Sequence, residues 1–402
     1  MPRRFAVLPA ALLTVVLILT ACAPAPAASP TAEPAKPTAP TGAAPIASPA
    51  AAASPSASPV ASPSPAAAAA AKPSGYDEQV VADFYRGKTF RIVVGLAAGG
   101  GFDTIYRLWG RHAGKYIPGN PTVIVENMTG AGGLVAANYL YNNAPKDGTT
   151  MGTMDLFITV LGQAAGAKGI ELDGNNFNFV GNPGDETPAV CALRTDLGFK
   201  TLGDVLKSGK ELVLGASGRG NVFYATPRVV MAATGAKFKL IDGYTGNPAV
   251  RLAVDNKELD GACWGLASMR STAPQWFEGN PPPMTIILQS GKTPYKEIPN
   301  VELLRSYVTD PSLLQMIDVL ENSVYNTYLS ALPPGVPPDR VAAIRDAWLK
   351  TWKDPELQQE LSKTQFRFSP VSGEDTQRVV TQLLAMPPDQ GKKIGQTFGL
   401  ID

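Results

Sequence analysis

Reactive groups are scarce in this chain. It has a single histidine, His112, and three cysteines in 402 residues. There is no G-x-S-x-G turn, no H-E-x-x-H and no Cys/His cluster, so nucleophilic catalysis by a serine triad and zinc chemistry both lack their residues. An excess of charge of either sign is also missing. Lys and Arg total 35 against 34 Asp and Glu, a formal net charge of +1, and no basic stripe is present, which argues against a nucleic-acid partner. No apolar run reaches the length of a membrane-spanning helix.

The N-terminus has little besides a leader and a spacer. Arg3 and Arg4 precede a short apolar run, Phe5 to Leu19, and Leu19-Thr20-Ala21-Cys22 closes it. This order is that of an export signal over 1–21, and its ending resembles the lipobox of bacterial lipoproteins, in which Cys22 becomes the lipidated first residue. Residues 22–75 are dominated by Ala, Pro, Ser and Thr. Such a composition cannot bury enough apolar surface to offset ordering entropy, so the sequence predicts a disordered tether. The expected location is the outer face of the cytoplasmic membrane, held there by lipid.

From Tyr76 onward the chain alternates strand-like and helix-like runs. FRIVV (Phe90–Val94) reads as a buried strand and ends in GLAAGGGFDT (Gly95–Thr104), a turn with no lysine or arginine. Ile105, Leu108, Trp109, His112 and Tyr116 then recur at helical spacing, with Asp103 as N-cap and His112 as a satisfied core side chain. TVIV (Thr122–Val125) makes the second strand of a right-handed βαβ unit. ENMTGAGG (Glu126–Gly133) is a second such turn, and DGTTMGTMD (Asp147–Asp155) leads through a third strand. The rhythm repeats in ELVLGASGRGN (Glu211–Asn221), KLIDGYTGNPAVRLAV (Lys239–Val254) and LDGACWG (Leu259–Gly265). Two α/β lobes are expected, 76–189 with 325–402 and 190–324, the chain crossing between them twice near 188–192 and 322–328. Helices starting at Pro338 and Asp354-Pro355 should cover the first lobe. Cys191 and Cys263 both fall in the second lobe and are read as buried free thiols, with a disulfide as the alternative.

Backbone amides at helix N-termini are abundant where side-chain chemistry is not. The first N–H groups of a helix have no internal partner and carry the positive end of its dipole, and glycine lets an anion come close. Gly99–Gly101, Gly130–Gly133, Ser217–Gly220 and Gly243–Asn247 therefore look like turns that receive a carboxylate or phosphate. The missing P-loop Lys-Ser/Thr, and spacing unlike a dinucleotide fingerprint, set nucleotides aside.

FRIVVGLAAGGGFDT, PTVIVENMTGAGG and APKDGTT resemble the opening motifs of the Bug-type extracytoplasmic receptors of tripartite tricarboxylate transporters. FKTLGDVL, LGASGRG, GYTGNPAV, LPPGVPPDRV and DPELQQEL extend the resemblance over nearly all of 88–400. It implies a two-lobe periplasmic-binding-protein fold (a Venus flytrap, type II-like) that closes on a small organic carboxylate and hands it to a carrier of one large and one small integral membrane subunit. Such a receptor needs no cofactor or metal and is expected to be a monomer. Carried over, first-lobe contacts fall on Ala98, Gly99, Gly100 and Asp103, with Gly132, Gly133 and Thr153 nearby. Second-lobe contacts fall on Ser217, Gly218, Tyr244, Thr245 and Gly246. Ala98 stands where the family often has Pro. Arg219 stands where a small residue is common and is expected to meet a second anionic group. Tyr244 and Trp264 are candidates to pack an organic chain, Trp264 having the core as its other reading. Asp103 has a second role open to it, accepting from a hydroxyl or ammonium of the ligand. Two other functions are alternatives: a sensor lipoprotein signalling to a membrane partner, and a small-acid hydrolase or lyase using Asp103 or Asp155 with the amide-rich turns as an oxyanion hole.

Overall fold

A computed structural model describes residues 75–219 and 221–402. The leader 1–21, Cys22 and all but the last residue of the 22–75 segment lie outside the described residues, as does Gly220. Among the described residues no helix is long and apolar enough to cross a membrane.

Among the described residues eleven strands form two sheets. In chain order they are β1 (Thr89–Val94), β2 (Thr122–Asn127), β3 (Thr150–Asp155), β4 (Asn178–Asn182), β5 (Ala189–Arg194), β6 (Leu212–Gly215), β7 (Phe238–Ile241), β8 (Gly261–Gly265), β9 (Met284–Gln289), β10 (Tyr328–Leu332) and β11 (Val371–Ser372). The first sheet runs β2-β1-β3-β10-β4-β11 and the second β7-β6-β8-β5-β9. Sheet membership changes between Asn182 and Ala189 and changes back between Gln289 and Tyr328.

Each sheet repeats one plan. Counting the strands that begin within each lobe, the order is second, first, third, incoming strand, fourth. The incoming strand is the one just after a crossing, β5 in one lobe and β10 in the other, and it is antiparallel to both its neighbours. The βαβ reading of 90–125 holds: β1 and β2 are parallel in register from Thr89↔Thr122 to Val94↔Asn127. The intervening helix Gly101–Ala113 buries Ile105, Leu108, Trp109 and His112. Its Trp109 packs on Trp348 of helix Pro338–Trp352, ring centroids 5.1 Å apart, so the C-terminal helices do cover the first sheet.

Cys191 and Cys263 sit opposite each other on β5 and β8 and are joined as a disulfide. The free-thiol reading is thus corrected. Sequence spacing does not reveal that an incoming antiparallel strand places two residues 72 apart side by side. His112 is buried beside carboxylates: its Nε2 lies 3.0 Å from Glu360, and its Nδ1 lies 3.5 Å from Asp354.

Candidate ligand-binding cleft

In an open α/β sheet, ligands bind beyond the carboxyl ends of the strands where the order reverses. Here that point lies between β1 and β3 in one lobe and between β6 and β8 in the other. The turns leaving those strands are Gly95–Gly101, the residues after Asp155, Ser217–Asn221, and Gly265 with helix Leu266–Thr272.

The GLAAGGGFDT turn is held from beneath by a buried carboxylate. Asp103 is 3% exposed. Its Oδ2 accepts the Gly99 N–H at 2.9 Å, and its Oδ1 accepts from Arg107 Nε at 2.8 Å and Asn127 Nδ2 at 2.9 Å. Asn127 Nδ2 also reaches the Leu96 carbonyl, and Asn127 Oδ1 accepts from Arg107. Burial pushes the Asp103 carboxyl upward, but the Arg107, Gly99 and Asn127 donors outweigh it and hold the pKa below the ordinary carboxylate value. The N-cap assignment is corrected: Gly100 is the N-cap, with no side-chain cap bond, and Asp103 lies inside the first turn and reaches back over it. The first-turn amides are left without a capping side chain.

The second turn is bent by its glycines. Gly133 has φ +102° and lies against Gly95, where a Cβ would stand 3.0 Å from the Gly133 Cα. Ala131, with no such freedom, is also at positive φ, +46°, a local cost of the kind found at functional turns. Thr153, on β3, is buried and its Oγ1 has no hydrogen-bond partner. At the end of β3, Asp155 is 2% exposed. Its Oδ1 accepts the Phe157 N–H at 2.8 Å, while its Oδ2 is buried without a hydrogen bond of normal geometry. Burial raises its pKa to about 7, although nearby N–H groups of Phe157, Val222 and Ile158 oppose the shift.

In the second lobe, Asn221 caps helix Val222–Thr234 by accepting from Phe223 and Tyr224 N–H, and its Nδ2 donates to Ser217 Oγ at 2.7 Å. Asn247 Nδ2 donates to Ser268 Oγ at 2.9 Å. Gly246 is buried, Tyr244 half-buried and Thr245 exposed. Arg219 turns outward, its side chain 66% exposed, and pairs with Asp242 at 3.1 Å and Asp402 at 3.4 Å. Trp264 is fully buried, edge-on to Phe223.

The four turns meet in two seams. A Cβ at Gly246 would stand 3.0 Å from Ala97 Cβ, and one at Gly99 would stand 3.9 Å from Pro248; both join the GLAAGGG turn to the second lobe. A Cβ at Gly218 would lie 3.2 Å from Gly132 N, and one at Gly132 would lie 3.5 Å from Asn221 Nδ2. Between the seams, Gly101 abuts Ser268 so closely that any side chain there would overlap its hydroxyl, and Tyr328 OH lies 3.2 Å from the same point. The structure therefore brings Ala97–Gly101, Gly132, Gly218 and Gly246 to one place between the lobes, in contact across the cleft. Ala98 and Gly99 are exposed at its rim and Gly100 is buried.

Several residues here were not singled out from the sequence. Asn221 was readable as a cap before an apolar run. Asn247 closes the Gly243–Asn247 turn read from the sequence, but Ser268 and Tyr328 gave no signal, because they gain meaning only where separate strands converge. Asp185, in the crossing, is likewise buried, and burial raises its pKa to about 7 against the Thr187 hydrogen bonds. The grouping with metal-ligand geometry is distant from the cleft. His112, Asp354 and Glu356 offer ligand atoms within 4.8 Å of one another, but Lys115 Nζ lies 2.6 Å from Asp354 and 2.8 Å from Glu356, where a cation would sit.

No protein-family model matches the chain. Among curated proteins it is 26% identical over 299 residues to the UPF0065 protein in the gbd 5' region of Cupriavidus necator, covering 71% of this chain and 81% of that one. Among solved structures it is similar to the periplasmic binding protein BugD (18% identity, TM-score 0.63, 79% of this chain and 99% of that one). It is also similar to MatC from Rhodopseudomonas palustris with bound malate (19% identity, TM-score 0.62, 76% and 98%). The chain therefore has the two-lobe fold of the periplasmic binding proteins, and the Bug-type receptors that its motifs resemble are among the proteins that share it.

Proposed function

We propose that this protein is an extracytoplasmic solute-binding receptor. It captures a small organic carboxylate between its lobes and delivers it to a tripartite tricarboxylate-type carrier with one large and one small membrane subunit. The leader 1–21 exports it, lipid on Cys22 anchors it, and it works as a monomer without catalysis or cofactor. The observation that carries this reading is the meeting of four glycine-bearing turns at two facing switch points. Uncapped helix amides are offered there to an anion, and the one arginine among the expected contacts is turned out to solvent. Ligand contacts are assigned to Ala98, Gly99, Gly100, Gly132, Gly133, Thr153, Ser217, Gly218, Tyr244, Thr245 and Gly246. Asp103 acts through Gly99, and Arg219 stays with Asp242 and Asp402. A malate-bound relative of the same fold supports a dicarboxylate. Thermal-shift screening against mono-, di- and tricarboxylates, amino acids and aromatic acids tests it. At a hundredfold excess over Kd a bound acid adds about 2.7 kcal/mol, so one class should raise Tm by several degrees. A panel without any shift contradicts the reading.

A further inference from the structure

Three strand ends of the first lobe reach the cleft side by side, β2, β1 and β3. The first two end in glycine turns, and the third ends in a carboxyl group. We infer that Asp155 is a ligand-contacting group that works as a neutral acid: it donates its O–H to a carboxylate of the bound organic anion, so that capture of the ligand takes up one proton. This rests on the receptor reading above.

Asp155 is 2% exposed, and its Oδ2 is buried without a hydrogen bond of normal geometry. It lies beside the Val222 N–H of the opposite lobe, at the start of the helix whose cap, Asn221, touches Gly132 and Ser217. An ionised carboxylate there would repel an arriving anion, and among the described residues no cation pairs with it. The titratable group opposite it is the Tyr328 phenol on β10, itself held neutral by burial. On helix Gly101–Ala113, Asp103 and Arg107 are paired with each other. On helix Val222–Thr234, Arg228 is engaged by the Gln396 and Thr397 carbonyls, and Tyr224 packs on Gly399. Asp185, the other buried acid near Tyr328, is bonded to Thr187. A proton on Asp155 Oδ2 removes the repulsion and supplies a donor. The proton comes from solvent and leaves with the ligand.

Calorimetric titration of the full-length chain decides the matter, with malate as first probe and then the acid giving the largest thermal shift. Titrations in buffers of different ionisation enthalpy count the protons taken up. The wild type should take up close to one proton at pH 8, and its affinity should fall toward tenfold per pH unit above neutrality. Asp155→Asn, whose amide donates at every pH, should show no proton uptake and a flat pH profile of affinity. Carboxylate binding with no uptake in the wild type overturns the inference and leaves the receptor reading standing. So does uptake that persists in Asp155→Asn, which would place the proton on Asp185. An amino-acid ligand that Asp155→Asn no longer binds also overturns it, because Asp155 would then be an ionised acceptor. Absence of binding by every acid overturns both.

Discussion

Asp103 and Asp155 are both buried aspartates at the carboxyl edge of the first sheet, and their surroundings push them in opposite directions. Asp103 has three donors, so it stays charged and fixes the turn that carries Gly99. Asp155 has one clear donor and a pKa raised by burial to about 7; Asp185 accepts from the Thr187 N–H and hydroxyl, and burial raises its pKa to about 7 as well. For an acid whose folded value lies above its unfolded value of about 3.9, the stabilising contribution is full below the unfolded value and is lost as pH rises through the folded one. The unliganded chain should therefore lose stability between about pH 4 and pH 7 on account of these two groups. Asp155→Asn should flatten part of that fall, read as Tm against pH; superimposable curves for variant and wild type would contradict it. Asp103 was visible in the sequence, but its position was misjudged because a glycine cap carries no side-chain signal. The free oxygen of Asp155 could not be read at all, since it depends on which atoms surround it in the fold.

At the scale of elements, the turns were legible and the seams were not. Strand, glycine turn and helix follow from β-branched runs, permissive backbone and apolar spacing, all local. β4, β10 and β11 have weaker local signals and owe their places to antiparallel or edge pairing. The contact between helix Gly101–Ala113 and helix Leu266–Thr272 joins residues remote in sequence, and a missing Cβ at Gly101 permits it. Gly101→Ala should hold the lobes apart at this point. Ligand affinity is expected to fall at least tenfold, about 1.4 kcal/mol, with the unliganded Tm changing little by comparison. Ser268→Gly in the same chain should restore part of the loss, because it removes the hydroxyl and the Cβ that a new methyl group would meet. Equal binding by Gly101→Ala and the wild type would show that this contact is not part of the ligand-holding state.

The molecule as a whole is one strand plan used twice, with the turns of the two copies facing each other. That symmetry puts Gly-rich turns in both halves of the sequence, while the reversal of the incoming strands is set by long-range pairing and leaves no local signal. Closure of such lobes is driven by contacts made only when ligand bridges them, and here both seams are built of backbone and small side chains rather than of ion pairs. The most direct test is a crystal structure of the chain grown with the acid selected by thermal shift. The account predicts that acid between Gly99–Gly101 and Ser217–Asn221, one carboxylate on first-turn amides and an oxygen within hydrogen-bond distance of Asp155. Ligand bound elsewhere, as in the surface groove lined by Trp276 and Pro281–Pro283, or a cleft that stays empty at saturating acid, would contradict it.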